Sequence, residues 1–199
     1  MPPVPPPLPP APSPGDAHPP LQPVPPPAVS NSGPPSALLL HLAIHSGGSF
    51  KNHWGYFIQS KHNSSVGTIV HVVGDVKNGF EFEIKRNHDF DTTSPAPLHI
   101  IPLQWMDGKY FNEAMLNNGV QELDHKPVCD FEKSVYKIKP PKGSLNSATS
   151  DAPRARVDRK DCQTWILQSA DQLVADGIMH PDIAAYLEAI KQLLLLILL

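Results

Sequence analysis

Three residues define the chemistry open to this sequence: Cys162, His53 and His71. A cysteine becomes a nucleophile when an imidazole within hydrogen-bond reach takes its proton and a further polar group orients that imidazole. Cys162 lies in Asp161-Cys-Gln-Thr-Trp-Ile-Leu167, and apolar residues recur at Cys162, Trp165, Ile166, Ala170, Leu173 and Val174. That i, i+3, i+4, i+7 spacing predicts a one-sided helix running to about Ala175, with Cys162 in its first turn on the inward face. Asp158 or Asp161 can cap it. Orphan N–H groups and the helix dipole favour a thiolate at such a position, while an adjacent Asp works against it. Taken alone, a cysteine placed like this is more often a small buried hydrophobe.

The two histidines fall on strand patterns. His53-Trp-Gly-Tyr-Phe-Ile58 reads as a strand on which His53, Gly55 and Phe57 share one face and Trp54, Tyr56 and Ile58 the other. Gly67–Asp75 reads as the next, with Ile69, His71 and Val73 pointing the same way. Asn78-Gly79 then opens Phe80-Glu-Phe-Glu-Ile-Lys85, whose strict apolar/polar alternation marks a half-buried antiparallel strand. Upstream, Ala37–His45 is an apolar run between Pro34-Pro35 and Gly47-Gly48 and reads as a buried strand. Leu98–Gln104 suits a further strand, Asp107–Leu116 a short helix, Val135–Ile138 a strand and Pro140–Pro153 a flexible loop. A last helix starts at His180-Pro181-Asp182, where proline fits a first turn. If the two histidine strands are antiparallel neighbours and the Cys162 helix crosses them, both imidazoles approach the thiol. The sequence leaves their register open.

Composition sets the outer limits. Of 25 prolines in 199 residues, 17 precede position 36, so residues 1–35 read as a disordered polyproline arm and the packed domain as 36–199. The arm's Pro-x-x-Pro frames suit an SH3- or WW-type partner, or serve as a spacer. A net charge of −3 without a basic stripe excludes nucleic acid as a partner. Two cysteines, Cys129 and Cys162, are too few for a disulfide framework or a Cys-built zinc site, and free thiols point to the cytoplasm. Six further histidines, His41, His45, His62, His88, His99 and His125, lack zinc-ligand spacing, so no metal and no cofactor are expected. No signal-peptide layout opens the chain. The final seven residues, Leu193–Leu199, are all aliphatic. As helix they would span about 10 Å, a third of the roughly 30 Å hydrocarbon core, which suits weak peripheral membrane contact and not a span.

The His53-Trp-Gly-Tyr-Phe-Ile58 strand resembles the His-Trp-Ala-Ile-Tyr-Val strand of lecithin–retinol acyltransferase-like proteins, a permuted branch of the NlpC-type papain-like fold. Asp161-Cys-Gln-Thr-Trp165 is similar to their Asn-Cys-Glu-His-Phe helix start, with Asp161 and Gln163 departing from it. The resemblance implies that His53 is the base, His71 supports it and Cys162 carries an acyl group as a thioester. The expectation is therefore an α+β domain, an antiparallel sheet packed on a Cys162 helix and a C-terminal helix. It would act as a thiol hydrolase or acyltransferase on a small-molecule, lipid or peptide acyl substrate. The alternative is a non-catalytic binding module of the same fold.

Overall fold

The computed structural model describes residues 24–47, 51–143 and 160–196, with side chains to Lys191. Its strands are β1 (Leu38–His45), β2 (His53–Gln59), β3 (Val66–Asp75), β4 (Gly79–Asp89), β5 (His99–Met106) and β6 (Glu122–Asp124). Its helices are α1 (Asp130–Tyr136), α2 (Cys162–Ala175) and α3 (Pro181–Leu196). The strands form one antiparallel sheet in the order β5-β1-β2-β3-β4-β6, and the protein is α+β.

The β3–β4 hairpin fixes the register that matters most. Asp75 Oδ1 accepts the main-chain N–H groups of Lys77 and Asn78, and Gly79 takes a φ of 97° that a side chain would resist. The strands close at Asp75↔Gly79, which sets His71 opposite Glu83. Alternation then puts Phe82 and Ile84 into the main core and Glu83 and Lys85 on the opposite face. A bulge follows. Between the pairs Ile69↔Lys85 and Gly67↔His88, Thr68 opposes both Arg86 and Asn87, and Asn87 takes a φ of 47°. The alternation is shifted by one residue beyond it, so His88 joins the face that carries His71.

The sheet has two unlike faces. On the main one, Trp54, Tyr56, Val70, Val72 and Ile84 pack against Trp165, Ile166 and Leu173 of α2, all buried. A large apolar side chain fully removed from water contributes about 1.5–3 kcal/mol, so this layer is the chief source of stability. Two hydroxyls knit it together, Tyr56 and Ser169 donating to the Ile166 carbonyl at 3.0 and 2.9 Å. On the other face a smaller cluster, Ala43, Phe57 and Ile69, is capped by Phe90.

Several elements differ from the sequence reading. Val135–Ile138, expected as a strand, instead closes α1 with Val135 and Tyr136 and caps it with Lys137, because Phe131 and Val135 are spaced four apart and both point into the core. Two 3-10 turns, Gly108–Tyr110 and Glu113–Gly119, replace the short helix expected at 107–116, each started by a capping side chain, Asp107 and Asn112. Arg86, fully buried, bonds Glu132 of α1, Asp124 of β6 and the Lys126 carbonyl. The proline-rich arm is described from Val24 onward, and its last residues pack on the domain. Trp105 donates its indole N–H to the Ser30 carbonyl at 2.9 Å, and Gly33 lies so close to the indole that a Cβ there would come within 2.3 Å of the ring. The expected arm's residues 1–23, most of the expected loop at 140–153 and the last three residues lie outside the described residues. Among the described residues, no helix is long and apolar enough to cross a membrane.

Candidate active site

The histidine face of the sheet carries a relay of three side chains. His53 Nε2 lies 2.7 Å from His71 Nδ1, and His71 Nε2 lies 3.0 Å from Glu83 Oε1. Local structure explains how the two rings meet. The β2–β3 register pairs Tyr56 with Val70, which puts Gly55 across from His71 and His53 on the diagonal. Gly55 leaves that diagonal open, since a Cβ there would sit 3.1 Å from the His71 Cβ.

The protonation pattern follows from the acid end. The hydrogen bond from His71 holds the Glu83 carboxyl below its ordinary range, so Glu83 is ionised and accepts. Burial pushes His71 down, which keeps it neutral despite that partner. His71 therefore spends its one N–H on Glu83 and offers Nδ1 as a lone pair, and His53 donates Nε2–H to it. That leaves the lone pair of His53 on Nδ1, which has no hydrogen bond among the described residues. Burial, with neighbouring His71, His45 and Lys85 adding to it, lowers His53 to about 3.

Cys162 reaches the same corner from the other layer. Asp161 caps α2 by accepting from Thr164 N–H, and Thr164 Oγ1 returns the contact to the Asp161 N–H. Contacts dock this helix start onto the residues around the beginning of β2. Lys51 Nζ lies 3.2 Å from Asp161 Oδ2, and Gln163 Nε2 donates to the Asn52 carbonyl at 2.8 Å. The Cys162 thiol is buried among core residues, facing the Trp54 main-chain N–H. Burial raises its pKa, and that N–H is the largest opposing influence. Cys129, at the start of α1, is pushed higher, to about 12, by burial and by Glu132.

The fold thus brings His53 and His71 into direct contact and brings Cys162 to the main chain beside His53. Among the described residues, no hydrogen bond joins the thiol to either imidazole. His45 and His88 border the same cleft as His53 and His71, whereas His41 stacks near Phe57 at 5.7 Å. Among the described residues no group of three or more His, Cys, Asp or Glu is arranged to hold a metal ion. Glu83 and Gln163 escaped the sequence reading. For Glu83 a signal existed: counting back from a hairpin closed at Asp75 and Gly79 brings position 83 across from 71.

The comparisons with known proteins bear on the chain at this level. Residues 40–180 match the model of a family of unknown function, DUF6540, and the chain belongs to that family. No curated protein and no solved structure matches.

Proposed function

We propose that this protein is a cysteine-dependent hydrolase or acyltransferase of permuted papain-like architecture, acting on an acyl or amide carbonyl through a thioester on Cys162. The supporting observation is the docking of the Cys162 helix start onto the residues around His53, whose imidazole already stands at the end of the His71–Glu83 relay. Cysteine last and histidines first is also the order implied by the resemblance to the acyltransferase-like proteins.

The electrostatics dictate how the steps run. With the thiol raised and His53 lowered, the resting pair is neutral, unlike a thiolate–imidazolium pair. The thiol proton therefore passes to His53 Nδ1 as the S–C bond forms. The imidazolium so created still donates Nε2–H to His71, and the Glu83 carboxylate beyond stabilises the new charge. The Cys162 main-chain N–H, at the start of α2, is the donor assigned to the oxyanion in this scheme. Collapse returns the Nδ1 proton to the leaving group, and water or an acceptor hydroxyl or amine then attacks the thioester while His53 takes its proton.

A non-catalytic module is favoured by one observation: among the described residues no hydrogen bond joins the buried thiol to either imidazole. Trapping separates the two readings. Incubation with an activated ester should place one acyl group on Cys162, removable by hydroxylamine, seen by intact mass and lost in Cys162→Ser. Acylation of Cys162 no faster than of Cys129 would leave the binding module as the answer.

A further inference from the structure

The histidine face carries more than the relay. A cleft of about 330 Å³ opens beside His53 and His71, and its walls bring His45 from β1, Lys85 and His88 from β4, and Thr93 and Ser94 from the following loop. The rings are close: His45 and His53 centroids are 6.3 Å apart, and His88 stacks edge-on to Phe90 at 4.9 Å. Lys85 is over a third exposed, its Nζ 3.7 Å from the Glu83 carboxylate. Glu83 already accepts from His71. The cleft therefore collects donors, one ammonium, the His45 and His88 imidazoles and three hydroxyls from Ser46, Thr93 and Ser94, beside a single carboxylate committed to His71.

From this lining we propose that the cleft binds an oxyanion carried by the substrate, a phosphate or carboxylate group, with Lys85, His45 and His88 as its ligands. The inference rests on the acyl-transfer reading above and specifies its substrate as an anionic acyl compound. Lys85 supplies the charge-assisted bond and the imidazoles supply N–H donors in either protonation state. The cleft adjoins His53, so an anion held there stands one binding subsite from the reacting carbonyl.

Proton linkage gives the site a signature. His45 and His88 are held neutral by burial and by the Lys85 charge, and a proton on any one of His45, His71 and His88 opposes a second on its neighbours. Asp89 and Glu83 are the acids near this group and only partly offset that repulsion. An anion among these rings favours their charged forms, so binding takes up protons and tightens as pH falls below about 6.5 toward the free His88 value of about 4.

The test is histidine 15N NMR on the full chain, titrated with sulfate, standing for a phosphate ester, and with acetate, standing for a carboxylate. Ionic strength is held constant with chloride. Saturable shifts at His45 and His88 with either anion support the site, and the tighter anion identifies the group. Lys85→Met should weaken binding roughly tenfold or more, and Lys85→Arg should retain it. Shifts matched by chloride alone, no saturation with either anion, or full affinity in Lys85→Met would overturn the proposal. Cys162→Ala must bind the anion as the parent does. Thioester formation without anion binding removes this inference alone, and anion binding without thioester formation removes the acyl-transfer reading alone.

Discussion

Gln163 donates to the Asn52 carbonyl at 2.8 Å, and that bond joins two stretches 111 residues apart. Because Gln163 is buried, the bond is shielded from water and fixes the helix start against the beginning of β2. Gln163→Leu would strand the Asn52 carbonyl, a loss of roughly 1–3 kcal/mol. Urea denaturation should report that loss, and iodoacetamide labelling of Cys162 should quicken as its corner loosens. Unchanged labelling would mean that Asp161 and Lys51 suffice to dock the helix.

The relay is expected to set tautomers. In 15N spectra near pH 7.5, His53 and His71 should both be protonated on Nε2. Glu83→Leu removes the final acceptor and should release His71 to a mixture of forms. On the proposed reaction His53→Ala should slow acylation of Cys162 by roughly 10²–10⁴-fold, the range of general-base catalysis. Glu83→Leu should slow it less and shift the pH profile, which a merely structural residue would not do.

Stability should fall on acidification. His53 drops to about 3 and His88 to about 4 in the fold, against 6.5 for the ordinary group, so the unfolded chain binds more protons at any pH between those values. Their contribution is complete above about 6.5 and is lost progressively below it. Glu83, itself lowered, adds a loss in the same direction at lower pH. Denaturant midpoints at pH 7.5 and 5.0 should differ, and His53→Gln should flatten the slope.

Arg86 and Glu132 are 2% and 0% exposed, a buried pair tying α1 to β4. Glu132→Ala leaves a guanidinium without that partner and should cost about 3–5 kcal/mol. The double variant Arg86→Met, Glu132→Met removes both charges and should be the more stable of the two in the same denaturation experiment.

The arm's junction is testable by truncation. Removing residues 1–23 should leave the melting temperature unchanged, whereas removing 1–35 uncovers Trp105 and its Ser30 contact. A fall of roughly 4 °C, about 1 kcal/mol in a domain of this size, is expected only for the longer deletion.

How much of this was legible follows from where the information resides. β2, β3 and β4 were readable because alternation and turn residues are local, and α2 because its apolar spacing and Asp161 cap are local too. Val135-Tyr-Lys-Ile misled because its residues suit a strand by propensity, while the partner of Val135 on the helix, Phe131, lies outside those four. The meeting of His53 with His71 depended on register and on an empty position at Gly55, both products of pairing. Gln163 and Asn52 carry no mark of each other in the sequence.

The bulge at Asn87 acts on β4 as a frameshift acts on a message. Residues before it are read with even numbers inward, as Phe82 and Ile84 are; after it His88 is read outward into the cleft. Deleting Asn87 would remove only the extra residue, so Lys85, Arg86 and His88 would alternate outward, inward, outward and His88 would keep its place opposite Gly67. The wall of the cleft should therefore survive loss of the surplus residue, whereas pairing Asn87 in strict alternation, with no residue left over, would turn His88 toward the apolar core.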